Sequence, residues 1–529
     1  LTPGVEGGGV PRVNGLKVGS VEMLLDGISL VDRFGGGLRA GVSPGLDTIQ
    51  EFRIETTGSS AQYSRPATVT LVTKGGTNSL HGAAFETLRN NGGGLRARAR
   101  QDGNTPALLI RNEFGASAGG PVHLGKWYDG RNKSFWFFAY EALKQREKTF
   151  YSDVVPTPQM WQGDFTGVID ANNRRTTIYD PLTTAANGTR TPFAGNIVPR
   201  ARIAPIFGVM EAVTHLPTSD ANPYKAENLR EFYPQKTNDN TITVRGDHRF
   251  SDNDSISGRF TRSRRDFNQN GGRFGGPRLD IPDGYGSSRI DARLYNAYVR
   301  QTHLFTPNMF TETQLAVNRA PKSSGTLADF TDWPAKLGFP NPFGARGWPS
   351  IYTDTFGWDA DNRKDEMLTG HVLENNTTWI RGKHAIKFGG KVRLEYNNIR
   401  ELQQSQGSHD FAGDWTALYN PNDDEAVSFT GDGLAAMALG LPTYLSNQYN
   451  RGYFYFQQKE FGLYLQDTWK VSSRLTLDLG LRWDKWTAYQ EKYNRLVNVD
   501  LRNFAGKFEV ITPKNVRMED LPGVPPAVL

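Results

Sequence analysis

The acidic residues of this sequence do not have the spacing of a metal site. Asp359, Asp361 and Asp365 are spaced loosely like the ligands of a calcium-binding loop, but the glycine and the closing glutamate of such a loop are missing. The acidic run at residues 422–425, Asn-Asp-Asp-Glu, has the same deficiency. We therefore predict that both groups are solvated loop acids.

The remaining reactive residue types give no catalytic pattern either. The glycines at 92–94 lack the lysine and helix of a phosphate-binding loop, and the eight histidines show no paired metal-ligand spacing. The absence of cysteine excludes disulfides, thiolate metal sites and cysteine nucleophiles. We also find no nucleophile elbow and no zinc-binding helix. The sequence thus predicts a protein that is not an enzyme, with no catalytic, cofactor-binding or metal residues and no cofactor.

Two further features have both a chemical and a structural interpretation. Asp26 followed by Gly27 could be part of a catalytic site. A structural role explains the pair better, with the glycine at the end of a strand in a conformation that other residues avoid. The aromatic run at 135–138, Phe-Trp-Phe-Phe, could stack on sugars, but lipid-facing and girdle positions need the same residues. We favour the structural interpretation of both.

Composition and charge narrow the class of protein. The net charge of +6 and the pI of about 9.2 would allow nucleic-acid binding, but most basic residues are interspersed with acids and form no reading module. The mean hydropathy of −0.55 and the lack of any run of about 18 apolar residues exclude a transmembrane helix. A membrane barrel remains compatible, because lumen-facing polar residues lower the average hydropathy.

Near the carboxyl-terminal end, apolar residues alternate with small or polar ones over two long segments. The apolar set is Phe461, Leu463 and Leu465 before a tight turn, and Leu475, Leu477, Leu479, Leu481 and Trp483 after it. This period of two predicts strands with one apolar face. Strands of soluble sandwiches are usually about 5–6 residues long. These segments exceed the roughly 9–11 residues that cross a bilayer as a tilted strand, as in an outer-membrane barrel.

The same unit repeats from residue 79 onward. We count about eleven long strand candidates, at 79–90, 111–122, 133–146, 240–251, 254–265, 289–305, 308–320, 367–381, 384–399, 453–470 and 474–489. Tight turns near 252–253, 306–307, 382–383 and 471–473 alternate with long insertions at 147–239, 321–366 and 400–452. Membrane barrels have short periplasmic turns and long outer loops. The pattern predicts an all-β fold, a transmembrane antiparallel β-barrel.

The first 78 residues have a different character. They are rich in glycine, with short strand candidates at 21–30, 48–55 and 67–73. None of these alternates over a length that would span a membrane. We predict a small mixed domain of strands and loops.

The junction between the two regions resembles a known family. Its residues are 43–54 (Ser-Pro-Gly-Leu-Asp-Thr-Ile-Gln-Glu-Phe-Arg-Ile), 61–63 (Ala-Gln-Tyr), 72–78 (Val-Thr-Lys-Gly-Gly-Thr-Asn) and 80–82 (Leu-His-Gly). Together they resemble the late plug and first barrel strand of TonB-dependent outer-membrane receptors. Asn14-Gly15 and the Leu-Asp-Gly at 25–27 resemble an earlier plug strand, which carries an Asp-Gly pair in these receptors.

A narrower resemblance is to the Oar-like branch of these receptors. It rests on residues 179–181 (Tyr-Asp-Pro), 190–193 (Arg-Thr-Pro-Phe), 195–199 (Gly-Asn-Ile-Val-Pro), 202–203 (Arg-Ile), 382–384 (Gly-Lys-His), 388–389 (Phe-Gly), 433–434 (Gly-Leu) and 439–442 (Leu-Gly-Leu-Pro). The resemblance covers nearly the whole chain. It breaks at residues 64–67, Ser-Arg-Pro-Ala, where the plug usually has a glycine-rich stretch.

The resemblance implies a plug domain at residues 1–78 and a barrel at residues 79–529. Such barrels close at about 22 strands, of which roughly half are counted here. The signal peptide, the amino-terminal carboxypeptidase-regulatory-like domain, the TonB box and the terminal aromatic strand of the family are not recognised. We therefore expect a fragment that comprises most of the plug and the first half of the barrel.

The resemblance also implies a function. It implies energised import, or export, of a large or scarce ligand across the outer membrane of a Gram-negative-type bacterium. The partner would be a TonB-type energy-transducing complex that pulls on a segment preceding Leu1. The ligand would bind the outer loops and the plug apex, through residues that the sequence does not identify.

Two other functions stay open from the residues alone. One is a structural or adhesive outer-membrane protein whose long loops bind a surface, which a TonB box upstream of Leu1 would argue against. The other is a soluble carbohydrate-binding β-protein, which a requirement for detergent would exclude.

Two groups of arginines are candidates for contact with an anionic lipid or ligand. Following the up-and-down strand order, both lie near the outer rim; they are Arg96, Arg98 and Arg100 in one loop and Arg262, Arg264 and Arg265, with Arg259, on one strand. Guanidinium groups suit phosphate, and lipopolysaccharide phosphates lie at this level of an outer membrane. The alternative for residues 96–100 is an exposed, solvated loop.

Overall fold

The computed structural model describes most of the chain in segments. The described residues are 21–31, 45–56, 60–91, 100–102, 105–106, 108–170, 172–269, 288–325, 331–359, 363–402, 405–420, 425–448, 452–496, 498–500 and 509–511.

Four strands near the amino terminus form one sheet, which we call the small sheet. They are β1 (Val21–Leu25), β2 (Ile28–Ser29), β3 (Ile49–Glu55) and β4 (Ala67–Thr73), in the order β2-β1-β4-β3. β1 and β4 run parallel and the other pairs are antiparallel. The three predicted short strands are confirmed, although the first one is a two-stranded hairpin.

Eleven long strands form a continuous antiparallel sheet, which we call the wall. They are β5 (His81–Asn90), β6 (Leu109–Pro121), β7 (Ser134–Asp153), β8 (Leu229–Arg249), β9 (Asp254–Gln269), β10 (Ser288–Thr306), β11 (Met309–Gly325), β12 (Lys364–Arg381), β13 (His384–Glu401), β14 (Phe454–Lys470) and β15 (Thr476–Trp486). Each pairs with the next strand along the chain. All eleven strand candidates are confirmed, and so are the four tight turns.

The wall has one apolar exposed face, as the alternation predicts. Val299, Leu315 and Leu373 stand in register on β10, β11 and β12, and each is more than half exposed. On β14 and β15, Leu463 is paired with Trp483 in the same exposed position. Exposed apolar side chains on one face of the strands are what a lipid-facing surface of a barrel requires.

The opposite face of the wall holds the small sheet. A buried cluster joins Val21, Met23 and Leu25 of β1 to Leu294 and Leu368 of β10 and β12. Beside it, Ile28 packs on wall residues that include Tyr298 and Val372. The inward-facing positions of three wall strands thus form part of the core of the small sheet.

The three long insertions fold into a single unit at the end of the wall opposite the tight turns. We call this unit the cap; it comprises the described parts of residues 154–228, 331–359 and 405–448. Its helices are α1 (Pro158–Trp161), α2 (Pro205–Val213), α3 (Trp333–Leu337) and α4 (Gly433–Ala438). Its short strands are Tyr179–Asp180, Thr191–Pro192, Ser350–Thr353, Gly357–Trp358, Ser408–Phe411 and Tyr444–Ser446.

One hydrophobic core is shared by all three insertions. Trp161 of the first insertion contacts Trp358 of the second, with ring centroids 6.3 Å apart. Phe411 and Leu434 of the third insertion lie in the same cluster. The sequence predicted these segments as long insertions and not as a folded unit.

The remaining described strands are short. Gln490–Glu491 pairs with β14, Arg100–Asp102 with Thr105–Pro106, and Asn498–Asp500 with Glu509–Ile511. The longest helix in the described part of the chain is α2, with nine residues. None of the described helices combines the length and the apolar character needed to span a bilayer.

Candidate functional site between the small sheet and the wall

The turn between β1 and β2 brings a carboxylate to the inner face of the wall. Leu25 pairs with Ile28, so Asp26 and Gly27 form a two-residue hairpin loop, with φ angles of 48° and 85°. A loop in which both residues have positive φ favours Asp-Gly. The structural interpretation of Gly27 is confirmed. The sequence did not, however, predict what the Asp26 side chain binds.

Asp26 is the centre of a buried polar cluster. Its carboxylate accepts hydrogen bonds from the amide and the hydroxyl of Thr73, both at 2.9 Å. Its Oδ2 atom also lies 2.8 Å from Nη1 of Arg259 on β9, and the side chain of Arg259 is fully buried. A charge pair removed from water in this way is costly to break, because the remaining charge has no replacement partner.

Neighbouring wall strands complete the cluster. Arg300 of β10 donates from Nη2 to the carbonyl oxygen of Asp26 at 2.9 Å and from Nε to Gln314 at 2.8 Å. The Tyr298 ring lies near both guanidinium groups, with Arg259 at 5.4 Å and Arg300 at 5.2 Å from its centroid. These distances suit cation–π attraction, which lowers the cost of placing two cations close together.

Two further wall strands, β8 and β11, bind backbone groups of the small sheet. Arg245 of β8 donates from Nη1 to the carbonyl oxygen of Thr73 at 2.7 Å and is paired with Asp247 at 2.9 Å. Asn318 of β11 donates to the carbonyl oxygen of Ser29 at 2.8 Å. Three consecutive wall strands, β9 to β11, thus bind the hairpin, and β8 binds the end of β4 beside it.

A second set of contacts fixes the segments around β3. Glu141 of β7 accepts from the amide and the hydroxyl of Thr48, at 3.0 Å and 2.8 Å. Gln466 of β14 accepts from the Ser60 hydroxyl at 2.6 Å, and Arg482 of β15 donates to the carbonyl oxygen of Gln62 at 2.9 Å. The segments that flank β3 are therefore bound by β7 and by the last two wall strands, β14 and β15.

A further buried charge cluster lies on the inner face of β13. Arg393 pairs with Glu395 at 2.6 Å, and both side chains are almost fully buried. Glu460 of β14 lies nearby, 3.7 Å from Lys391. This part of the lumen is polar and closely packed.

The arginines that the sequence singled out lie on two faces of the wall. Arg264 and Arg262 occupy outward positions, in register with Arg293 and Tyr295 of β10. Arg264 pairs with Asp291 at 3.3 Å. Arg265 occupies an inward position and pairs with Asp239 at 2.7 Å.

The other arginine candidates are distributed differently. Arg259 belongs to the Asp26 cluster and not to the rim. Arg96 and Arg98 lie outside the described residues, and Arg100 begins the short strand Arg100–Asp102. The described arginines therefore do not form one continuous patch.

The acid groups considered for calcium binding have separate environments. Asp365 lies on β12, is buried, and pairs with Arg363 and Arg400, so its prediction as a solvated loop acid is wrong. Asp359 accepts from Ser350 at 2.6 Å, and Asp361 lies outside the described residues. Of the run at 422–425, the structure describes Glu425, which is exposed. Within the described residues no cluster of three potential metal-binding side chains occurs.

The aromatic run at 135–138 divides between the two faces of β7. Phe138 is outward and exposed, as a lipid-facing residue should be, whereas Phe137 is inward and buried. A continuous aromatic surface for stacking on sugars is therefore not present at this run.

The cap contains its own buried acid. Asp432 accepts from the hydroxyl of Tyr224 at 2.6 Å and from the amide of Ala435 at 3.0 Å, where it caps α4. Burial raises the pKa of Asp432 to about 6, and the nearby Asp354 carboxylate adds to the rise. The pKa of Asp354 is itself raised by burial.

Most of the chain matches one family of known proteins. A family model described as "Outer membrane beta barrel domain" matches residues 72–527. A search of curated proteins gives no match.

Several solved structures are similar at low sequence identity. They include a mutant of the ferric enterobactin receptor from Pseudomonas aeruginosa (11% identity, TM-score 0.43, covering 89% of this chain and 51% of that one). They also include the outer membrane transporter YddB from Escherichia coli (10% identity, TM-score 0.41, covering 89% of this chain and 50% of that one). A third is the ferripyoverdine receptor of Pseudomonas aeruginosa bound to ferripyoverdine (12% identity, TM-score 0.43, covering 89% of this chain and 46% of that one). The chain spans about half the length of these proteins.

Proposed function

This chain belongs to the outer membrane beta barrel domain family, and on that premise we propose that it is the plug and part of the barrel of a TonB-dependent receptor of the Oar-like branch. Its location is the outer membrane, and its fold is an all-β, antiparallel transmembrane barrel.

We place the plug at residues 1–78 and the barrel at residues 79–529. The small sheet ends at Thr73 and the first wall strand begins at His81, which supports this division. Between them, the glycine-containing segment at 74–80 has no strand.

The observation that carries the proposal is the polar attachment of the small sheet to the wall. Its centre is the buried pair of Asp26 and Arg259. Hydrogen bonds from Arg245, Arg300 and Asn318 to backbone oxygens surround it. Water can replace each of these polar contacts when the sheet is displaced, so that the buried apolar surface lost is limited to the clusters around β1 and Ile28. This is a property that a gate requires.

In the proposed cycle the ligand binds at the outer end of the barrel, and the energy-transducing partner acts at the inner end. The cap lies at the end of the wall with the long insertions, which faces outward in outer-membrane barrels. A TonB-type complex pulls on a segment that precedes the small sheet, breaks the polar attachments and opens a path for a large or scarce ligand. The direction is import, or export, and no covalent bond is made or broken.

Binding of the energy-transducing partner tests this function. The purified full-length protein is reconstituted in nanodiscs and titrated with the purified carboxyl-terminal domain of TonB from the same bacterium, with an unplugged porin as control. We expect saturable binding with one TonB domain per barrel. Binding no stronger than to the porin would favour the structural or adhesive barrel.

A further inference from the structure

The cap contains a sheet of its own, which we call the cap sheet, and one face of it is directed away from the cap core. This sheet has four strands in the order Gly357–Trp358, Ser350–Thr353, Ser408–Phe411 and Tyr444–Ser446. Ile351, His409 and Phe411 point into the core and are buried. The residues between them alternate to the other side of the sheet.

Two tyrosines flank a carboxylate on that outer face. Tyr352 is in register with Asp410, and Asp410 is in register with Tyr444 on the edge strand. Tyr444 is 57% exposed and Tyr352 is 37% exposed. Since adjacent strands lie about 4.8 Å apart, the two tyrosines are separated by about 10 Å with the carboxylate between them.

The charges near this row are acidic. The four strands contain no lysine or arginine. Asp359, at the end of Gly357–Trp358, accepts from Ser350 at 2.6 Å, and Ser408 lies 3.5 Å from Asp410. Ser350 and Ser408 are themselves buried, so the groups that this face presents are the partly exposed carboxylate of Asp410 and the two tyrosines. The carboxylate accepts hydrogen bonds and repels anions.

The row is held rigidly from behind and from the side. His409, next to Asp410, stacks on Phe339 with ring centroids 3.5 Å apart. The amide of Thr443 donates to the carbonyl oxygen of Asp410 at 2.8 Å. Trp415, itself 42% exposed, donates from Nε1 to the carbonyl oxygen of Pro442 at 3.1 Å, beside the edge strand. A surface fixed in this way loses little entropy when it binds a ligand.

We propose that the outer face of this sheet binds a neutral oligosaccharide, with the rings of Tyr352 and Tyr444 stacking on two of its sugars and Asp410 accepting hydrogen bonds from hydroxyl groups between them. Sugar rings present an apolar face together with a rim of hydroxyl groups, which matches aromatic rings beside acceptor oxygens. An acidic face excludes an anionic polymer or a phosphate group. This inference names the ligand class of the proposed receptor and rests on that function for its role, but the binding step itself needs no TonB.

Calorimetry on the purified full-length protein in detergent tests the inference. The probes are the neutral hexasaccharides of cellulose, laminarin, xylan and starch, and an alginate hexasaccharide as the anionic counterpart. We expect saturable binding of at least one neutral hexasaccharide and none of alginate. Tyr444→Ala and Tyr352→Ala should each weaken it about tenfold, and Asp410→Asn, which keeps the side-chain volume, about tenfold as well.

Trp127→Ala is the matched control, because Trp127 is an exposed aromatic in the turn between β6 and β7, at the other end of the wall. It should leave the affinity unchanged. Absence of saturable binding of every neutral hexasaccharide up to about 10 mM would overturn the inference, as would equal binding by Tyr444→Ala. Neither result bears on TonB binding, so failure of this inference is distinguishable from failure of the proposed function.

Discussion

Arg259 of the wall and Asp26 of the small sheet form an ion pair at 2.8 Å, with both side chains removed from solvent. The pair lies at the tip of a hairpin that three consecutive wall strands, β9 to β11, bind. It couples the position of the small sheet to the barrel at one well-defined point.

Breaking this pair should loosen the small sheet. Arg259→Ala leaves the Asp26 carboxylate buried without its cation, which costs about 3–5 kcal/mol. Asp26→Asn should have a comparable effect, and Asp26→Asn with Arg259→Met should recover part of the loss. The measurement is urea unfolding followed by a fluorophore on Gln50→Cys, since the chain has no other cysteine.

The control for this prediction is the ion pair between Arg249 and Asp252, which is at the surface. Arg249→Ala should leave the unfolding midpoint unchanged, because exposed pairs contribute little. A midpoint for Arg259→Ala equal to that of Arg249→Ala would contradict a docking role for the buried pair.

The two glycines before the first wall strand should differ in their tolerance of a side chain. A Cβ atom on Gly76 would lie 2.4 Å from the carbonyl oxygen of Trp136 and 2.7 Å from that of Gly120, both backbone atoms of the wall. On Gly75 it would meet side-chain atoms of Arg245 and Asp247 no closer than 3.5 Å. Gly76→Ala should therefore destabilise the small sheet by about 1–3 kcal/mol, and Gly75→Ala should not.

The same urea titration measures both variants. Equal midpoints for Gly75→Ala and Gly76→Ala would show that the segment does not approach the wall as closely as described. This close approach gives a physical reason for a glycine at position 76 of the Thr-Lys-Gly-Gly motif.

The cap should become less stable as the pH rises through the titration range of Asp432. Its pKa is raised from 3.8 to about 6, chiefly by burial, so the folded cap binds the proton more tightly than the unfolded chain does. The resulting stability is fully present below pH 3.8 and is lost as the pH approaches 6. A shift of this size corresponds to about 3 kcal/mol at most.

Asp432→Asn should remove this pH dependence and stabilise the cap above pH 6. The amide oxygen can still accept from Ala435, and the amide nitrogen can donate to the Tyr224 oxygen. Tryptophan fluorescence during urea unfolding of the cap at several pH values is the measurement. An unchanged slope between pH 4 and pH 6 in this variant would mean that another group, such as Asp354, is responsible.

The outward arginines of β9 should hold lipopolysaccharide. Arg262→Gln together with Arg264→Gln should lower the amount of lipopolysaccharide that co-purifies, most clearly at low salt, because the contact is electrostatic. Arg265→Gln is the matched control, because Arg265 occupies an inward position. An equal loss with the inward variant would contradict a lipid contact at the outward pair.

The arginines at positions 96, 98 and 100 can be tested in the same experiment. Replacing Arg96, Arg98 and Arg100 with glutamine should also lower lipopolysaccharide co-purification at low salt. Unchanged lipid content would favour the solvated loop.

The strands of the wall could be predicted because lipid and lumen impose alternation on them. Where this constraint ends, the prediction ends as well. β8 begins at Leu229 and not at 240, since its first part, with Glu231, Gln235 and Lys236, does not alternate between apolar and polar residues. β7 continues to Asp153 and not 146 for the same reason.

The cap and the polar junction could not be predicted from local patterns. The contact of Trp161 with Trp358 joins two insertions that are separated by several wall strands, and no periodicity records it. The unusual conformation of Gly27 could be predicted from its residue type. The hairpin lay inside a single strand candidate at 21–30, and Arg259, the partner of Asp26, was assigned to the outer rim. Long-range pairing of charges leaves no local signal in a single sequence.

The central claim is that the small sheet closes the lumen of an outer-membrane barrel, and conductance in planar lipid bilayers tests it most directly. The full-length protein should insert without forming a steady open channel. A variant that lacks residues 21–73, shown to be folded by its resistance to detergent at room temperature, should form large open pores. A steady conductance from the intact protein, or no pore from the folded deletion variant, would contradict the account.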